Sequence, residues 1–247
     1  MINEEYKWEP EDFQLKHNTV WSFPDRGNWA THNGRYKGNW SPYIPRNLIL
    51  RYSNEGDTVL DQFAGSGTTL IEAKLLNRNC IGVDINPISL ELCDSNTRFY
   101  HKNCGQVVIK KGDARNLFFL DDKSIDLICT HPPYSNIIKY SNDIPADLSR
   151  YEVKEFLVEM RNVASECYRV LKTNKFCAIL MGDTRKNGYI VPLSFEVMKI
   201  FEAVGFRTKE IIIKEQHNCA STSFWKNQSK KYNFLLIAHE YLFVFKK

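Results

Sequence analysis

Apolar positions along this chain follow two alternating rhythms. Short apolar runs at 59–60, 79–84, 107–109, 125–129, 176–181, 208–214 and 241–245, bounded by polar or turn-forming residues, predict seven buried strands. Between several of them, apolar residues return every third or fourth position. Leu70, Ile71, Ala73, Leu75 and Leu76 predict a helix over 68–76. Others are predicted over 88–100, 151–171 and 192–204, the segment 151–171 carrying Phe156, Leu157, Val163, Cys167, Val170 and Leu171 on its apolar side. Asn86 and Pro87 suit a helix start, as N-cap and first-turn proline. Strands alternating with helices predict an α/β domain with a mostly parallel seven-stranded sheet and helices on both faces. The last two strands are joined by a segment without helical rhythm, which predicts an antiparallel pair at the sheet edge.

Residues 1–45 break this pattern. Trp8, Trp21, Trp29 and Trp40 fall there among Pro24, Gly27, Gly34, Gly38, Pro42 and Pro45. So many turn formers preclude long regular elements, and the rings predict an arm that wraps a domain spanning 46–247. The arm is either an anchor alone, or Asn39-Trp40-Ser41-Pro42, leading into a helix near 45–51, lines a ligand pocket.

Composition adds three limits. A net charge of +4 and a pI near 8.6 permit a nucleic-acid partner without demanding one. The seven cysteines form no CxxC pair, which predicts buried free thiols in a reducing compartment and no metal site. No apolar run approaches membrane-spanning length and the first twelve residues are polar and acidic, so a soluble cytoplasmic protein without membrane partners is expected.

The candidate chemistry lies at strand ends. Asp61 closes the first strand and precedes the turn Gly65-Ser66-Gly67 and a helix, an order that brings backbone N–H groups to the carboxyl edge of a parallel sheet. Asp84 closes the second strand 19 residues after Gly65, the distance expected of an acid that binds a ribose diol. NAD and S-adenosylmethionine both fit this pair. Leu70 stands where a dinucleotide turn carries its third glycine, and there is no GxxxxGK[ST] phosphate loop. The third strand is followed by Asp113, the fourth by His131-Pro132-Pro133-Tyr134. Two prolines fix this last turn and leave its carbonyls free of ladder partners, while Tyr134 offers a flat ring: a site for a planar amine.

These motifs resemble the S-adenosylmethionine-dependent DNA amino-methyltransferases, which act on adenine N6 or cytosine N4. The resemblance rests on FAGSGTT (63–69), GVDINP (82–87), GDAR (112–115), PPY (132–134), HEYLFVFKK (239–247) and NWSPYIPRNLI (39–49). It implies a Rossmann-like methyltransferase fold, with Asp61, Phe63, Gly65, Gly67 and Thr68 around the methionine end of the cofactor. Asp84 would bind the ribose and Asp113 the adenine amino group, with Asn39 and Ser41 closing the methionine side. Pro132, Pro133 and Tyr134 would receive a base flipped from double-stranded DNA. A homodimer and a cognate restriction enzyme are partners consistent with the resemblance. No Pro-Cys nucleophile occupies the turn, which argues against C5-cytosine chemistry.

His131 departs from the family, whose turn begins with Asp, Asn or Ser. A neutral imidazole can accept a hydrogen bond and an imidazolium cannot, so activity is expected to fall as pH drops through the histidine range. The alternative is that the Pro132 carbonyl alone accepts. Segments 135–150 and 215–232 are the candidate recognition loops, the second carrying His217, Asn218, Ser221, Trp225, Lys226, Asn227, Gln228, Lys230 and Lys231. An RNA amino-methyltransferase and a catalytically silent binding subunit are the competing readings, with a dehydrogenase more distant.

Overall fold

The computed structural model of the chain describes residues 7–141, 143–218 and 222–247; Cys219 and Ser221 lie outside them. In chain order the elements are β1 (Val20–Trp21), α1 (Tyr43–Tyr52), β2 (Thr58–Asp61), α2 (Thr68–Leu75), β3 (Asn79–Asp84), α3 (Pro87–Thr97), β4 (Val107–Lys111) and β5 (Ile125–Thr130). Then come α4 (Val153–Val170), β6 (Leu171–Met181), a hairpin of β7 (Thr184–Lys186) and β8 (Tyr189–Val191), α5 (Leu193–Val204), β9 (Arg207–Glu215), α6 (Thr222–Tyr232) and β10 (His239–Lys246). Asn86 caps α3 by accepting from the Ile88 N–H at 3.0 Å, one position before Pro87.

The main sheet runs β1-β9-β10-β6-β5-β2-β3-β4. Its pairs are parallel except those of β10, which is antiparallel to both β6 and β9. Period-two alternation sorts the strand residues between two cores. Leu60, Ile128, Phe243 and Phe245 face the core under α4 and α5. Val59, Leu127, Cys129, Leu242 and Val244 face the one that also holds Trp21, Trp40, Ile44, Leu48 and Leu70. With all six residues buried, β5 shows why its sequence reads as a continuous apolar run.

Three details depart from the sequence expectation, the first being the short hairpin β7/β8, which no predicted strand covers. The antiparallel pair β9/β10 forms, but β1 of the arm adds outside β9 as an eighth strand; two residues are too few to carry a periodic signal. A helix, α6, fills much of the connection between them. It showed no rhythm because Phe224, Trp225 and Tyr232 are exposed and none of its described side chains is buried.

Buried side chains tie the arm to the sheet. Trp21 and Trp29 are almost fully covered. On α2, Glu72 is fully buried. Its Oε1 accepts from Trp29 Nε1 and His32 Nε2, both at 2.7 Å, and its Oε2 pairs with Arg46 of α1 at 3.0 Å. One carboxylate thus joins the arm, α1 and α2.

Candidate active site

Chain order reverses at the neighbours β2 and β5: β3 and β4 extend the sheet to one side and β6 to the other. Strand-end loops part at such a reversal and leave a crevice. The crevice here opens to solvent. Asn39, Asp61, Phe63, Gly65, Thr68, Asp84, Asp113, His131 and Pro133 line it, so one cavity gathers residues spread over nearly a hundred positions of sequence. Ser41, Gly67, Pro132 and Tyr134 do not line it. Ser41 donates to the Arg26 carbonyl at 2.8 Å and holds the arm's own turn. Gly67, at φ +90°, caps α2 where a Cβ would come within 2.9 Å of Cys93 Sγ; its glycine serves the turn and the contact with α3.

The carboxylates differ in what is left for a ligand. Asp61 accepts from Thr130 Oγ1 at 2.7 Å, Thr69 Oγ1 at 2.5 Å and the Phe63 N–H at 3.1 Å, which braces β2 to β5 and α2. Burial pushes its pKa up, opposed by those three bonds. Among the described residues Asp84 takes only the Gly65 and Asn86 N–H groups, both at 2.9 Å, leaving lone pairs in the cleft. Burial raises it to about 6, with Asp61 and Asp147 adding to the rise. Asp113 is held by Arg115 through Nε and Nη2, and Arg115 in turn reaches Glu159 at 3.0 Å and the Ala146 carbonyl at 3.0 Å. That fork fixes the carboxylate plane at the cleft wall.

Sequence patterns missed the opposite wall. Tyr36 stacks on Tyr140 at 6.1 Å, and Tyr140, Ala146, Asp147 and Leu148 all line the cleft. Segment 135–150, expected to read DNA, thus contributes a wall of the pocket in its described part. No local pattern marks this, because the contacts join residues a hundred positions apart. In the other expected recognition loop, His217 bonds Ser22 Oγ at 2.8 Å and Asn218 donates to the Pro24 carbonyl at 3.0 Å, so both are committed to the arm.

His131 stacks on Trp40 at 5.4 Å and 24°. Its Nε2 lies 2.6 Å from Tyr134 Oη, which donates to Glu240 Oε1 at 2.9 Å. Burial lowers the imidazole to about 4; Glu240 opposes the shift and Lys214 adds to it. The sequence expectation of titration in the ordinary histidine range is therefore corrected downward: a buried, stacked ring loses the hydration an imidazolium needs.

This fold and cleft define a Rossmann-like methyltransferase architecture. An S-adenosylmethionine-dependent methyltransferase from Methanosarcina mazei superposes with a TM-score of 0.56 at 16% identity, over 81% of this chain and 96% of that one. The family model described as DNA methylase, for N6 and N4 methyltransferases, matches residues 2–94 and 125–247, and the chain belongs to that family. Among curated relatives, a Type II methyltransferase, M.BsoBI of Geobacillus stearothermophilus, is 40% identical over 90 residues, 36% of this chain and 18% of that protein. A tRNA (guanine(10)-N2)-dimethyltransferase of Methanothermobacter thermautotrophicus is 36% identical over 100 residues, 40% of this chain and 29% of that protein. The chain thus spans less than a third of either relative's length.

Proposed function

We propose that the protein transfers a methyl group from S-adenosylmethionine to an exocyclic amine, adenine N6 or cytosine N4, of a base flipped out of double-stranded DNA. The observation that carries this reading is the charge of the cleft. Asp61, Asp84, Asp113 and Asp147 line it, and among its described lining residues there is no lysine or arginine. The Gly65 N–H is turned onto Asp84 rather than offered outward. Such a wall repels the pyrophosphate of NAD and attracts a ligand whose sulfonium and ammonium are positive. Asp84 would accept from the ribose hydroxyls and Asp113 from the adenine amino group, with Asn39, Phe63, Gly65 and Thr68 beside the methionine end. Bound there, S-adenosylmethionine supplies an electrophilic methyl group on sulfur.

The chain's own part is to make a poor nucleophile attack. A ring amine's lone pair is delocalised, and acceptors on its N–H groups localise it. His131 on the cleft wall is the acceptor, Pro132 after it in the chain fixes the turn, and Tyr134 braces the imidazole through its hydroxyl. The methyl-transfer experiment uses labelled S-adenosylmethionine with plasmid DNA and, separately, total RNA, followed by identification of the nucleoside. N6-methyldeoxyadenosine or N4-methyldeoxycytidine supports the reading. Label in RNA alone supports the second reading, RNA methylation, which the resemblance to the tRNA enzyme motivates.

At saturating cofactor, kcat is expected to stay level from about pH 8 to about pH 5.5 and to fall as pH approaches 4. The sign follows from His131, neutral and accepting above its depressed pKa of about 4 and protonated below it, with Glu240 and Lys214 as its charged neighbours. A tenfold loss already by pH 6 would contradict this assignment.

DNA contact is assigned to α6, where exposed Phe224 and Trp225 stand beside exposed Lys226, Lys230 and Lys231. Replacing the three lysines by alanine is expected to weaken DNA binding and to reduce the slope of log K against log salt by about 0.9 for each lysine that meets a phosphate. An unchanged slope in a fluorescence-anisotropy salt titration would place the interface elsewhere. A homodimer and a cognate restriction enzyme remain proposals of the family resemblance, checked by light scattering and by the chain's genomic neighbours.

A further inference from the structure

The turn that begins with His131 ends in a hydrogen-bonded line that leaves the cleft. Tyr134 Oη lies 2.6 Å from His131 Nε2 and donates to Glu240 Oε1 at 2.9 Å. Glu240 Oε2 takes the Lys214 ammonium at 2.8 Å, and Glu240 and Lys214 sit directly opposite each other on β10 and β9. Glu240 is 7% exposed, so its charge is held by these partners and not by water.

Counting protons along this line settles which nitrogen of His131 carries its hydrogen. Glu240 faces an ammonium and stays ionised, so it can only accept. The Tyr134 hydroxyl has one proton and gives it to Glu240. Its lone pair is what remains for His131, so Nε2 must be the nitrogen with the hydrogen. A neutral imidazole has only one, which leaves Nδ1 bare. Among the described residues no group bonds Nδ1, and stacking on Trp40 fixes the plane of the ring at the cleft wall.

We propose that Glu240, held by Lys214 and acting through Tyr134, is a positioning residue that locks His131 in the Nε2–H tautomer and so presents the Nδ1 lone pair to the target amine. The inference rests on the amine-methylation reading for its function, though not for its geometry. It accounts for histidine where related turns carry Asp, Asn or Ser: a histidine serves as an acceptor there only if something outside the turn decides its tautomer, and the pair on β9 and β10 does so. The relation could not be read from sequence, since Glu240 lies 106 residues from Tyr134.

The test is nitrogen NMR of the full chain labelled in its histidine rings at neutral pH, with His131→Asn to assign the resonance. The wild type is expected to show a protonated Nε2 and a bare Nδ1. In Glu240→Gln, the Lys214 ammonium claims the amide carbonyl and the amide N–H faces Tyr134; the hydroxyl must then donate to His131, and the proton moves to Nδ1. In Tyr134→Phe, the ring is kept and the tautomer is released, giving a mixed signal. Both variants should lower kcat by roughly 10–100-fold, as loss of one charge-polarised acceptor does, with KM for S-adenosylmethionine within about twofold of wild type. Tyr134→Phe keeps the test open should Glu240→Gln fail to fold. A wild-type Nδ1–H, or unchanged kcat in a folded Tyr134→Phe variant, overturns the inference. Absence of methyl transfer by the wild type to any nucleic acid, with the expected tautomer present, would instead overturn the functional reading and, with it, the role given to the bare nitrogen.

Discussion

Replacing Glu72 with alanine is expected to cost about 3–5 kcal/mol of folding stability, the usual penalty for removing one partner of a buried ion pair. The carboxylate is fully buried and serves Arg46, Trp29 and His32 together. Without it the Arg46 guanidinium, 5% exposed, keeps the exposed Glu9 carboxylate at 3.2 Å and the face of Phe13 at 5.1 Å, and two ring N–H groups lose their acceptor. Because the pair joins the arm to α1 and α2, near-ultraviolet signals from Trp29 should change as well. Urea unfolding of Glu72→Ala and Glu72→Gln is the measurement. The amide keeps an acceptor for one ring and should lose less. A loss below about 1 kcal/mol for alanine would mean that the arm is held by its aromatic packing and not by this carboxylate.

Asp84→Ala is expected to weaken S-adenosylmethionine by about 100-fold or more, since two charge-assisted hydrogen bonds to a ribose diol contribute about 1.5–3 kcal/mol each. The same carboxylate shapes the glycine turn by accepting from Gly65 and Asn86, so Asp84→Asn, which retains one acceptor, should fall between. Acidity provides a second check. Burial raises Asp84 to about 6, and only the ionised form can accept from both hydroxyls. Cofactor affinity should therefore drop as pH falls below about 6, with proton release on binding near that pH. Titration calorimetry between pH 5 and 8 measures both; an affinity independent of pH over that range would remove Asp84 from the ribose site. The two pH effects are separable, because Asp84 acts on cofactor binding near 6 and His131 on kcat near 4.

Much of the cleft was legible because its chemistry sits at strand ends. An apolar run that stops at Asp61, at Asp84 or before His131 marks a residue delivered to the sheet's carboxyl edge, and parallel topology then brings the ends together. The glycine turn and the Pro-Pro-Tyr turn were readable for a related reason: both depend on the backbone freedom or rigidity of particular residue types. Asn187 and Gly188, at φ 52° and 85°, carried an equally local hairpin signal for β7 and β8, one that the strand pattern around them was too short to reinforce.

The sequence by itself determined the α/β class, the order of the principal strands and helices, and three of the four acids that face the crevice, Asp61, Asp84 and Asp113. These follow from periodicities of two and 3.6 residues and from conformational limits within a few positions of chain. Tertiary structure alone decided that the arm would add β1 outside β9, that Tyr36 and Tyr140 would wall the cleft, and that Glu72 would be held by Arg46. It also lowered the His131 pKa by burying the ring, with Glu240 opposing the shift and Lys214 adding to it. Burial and distant partners control a pKa, a tautomer or a buried charge, and no residue carries that information in its own neighbourhood.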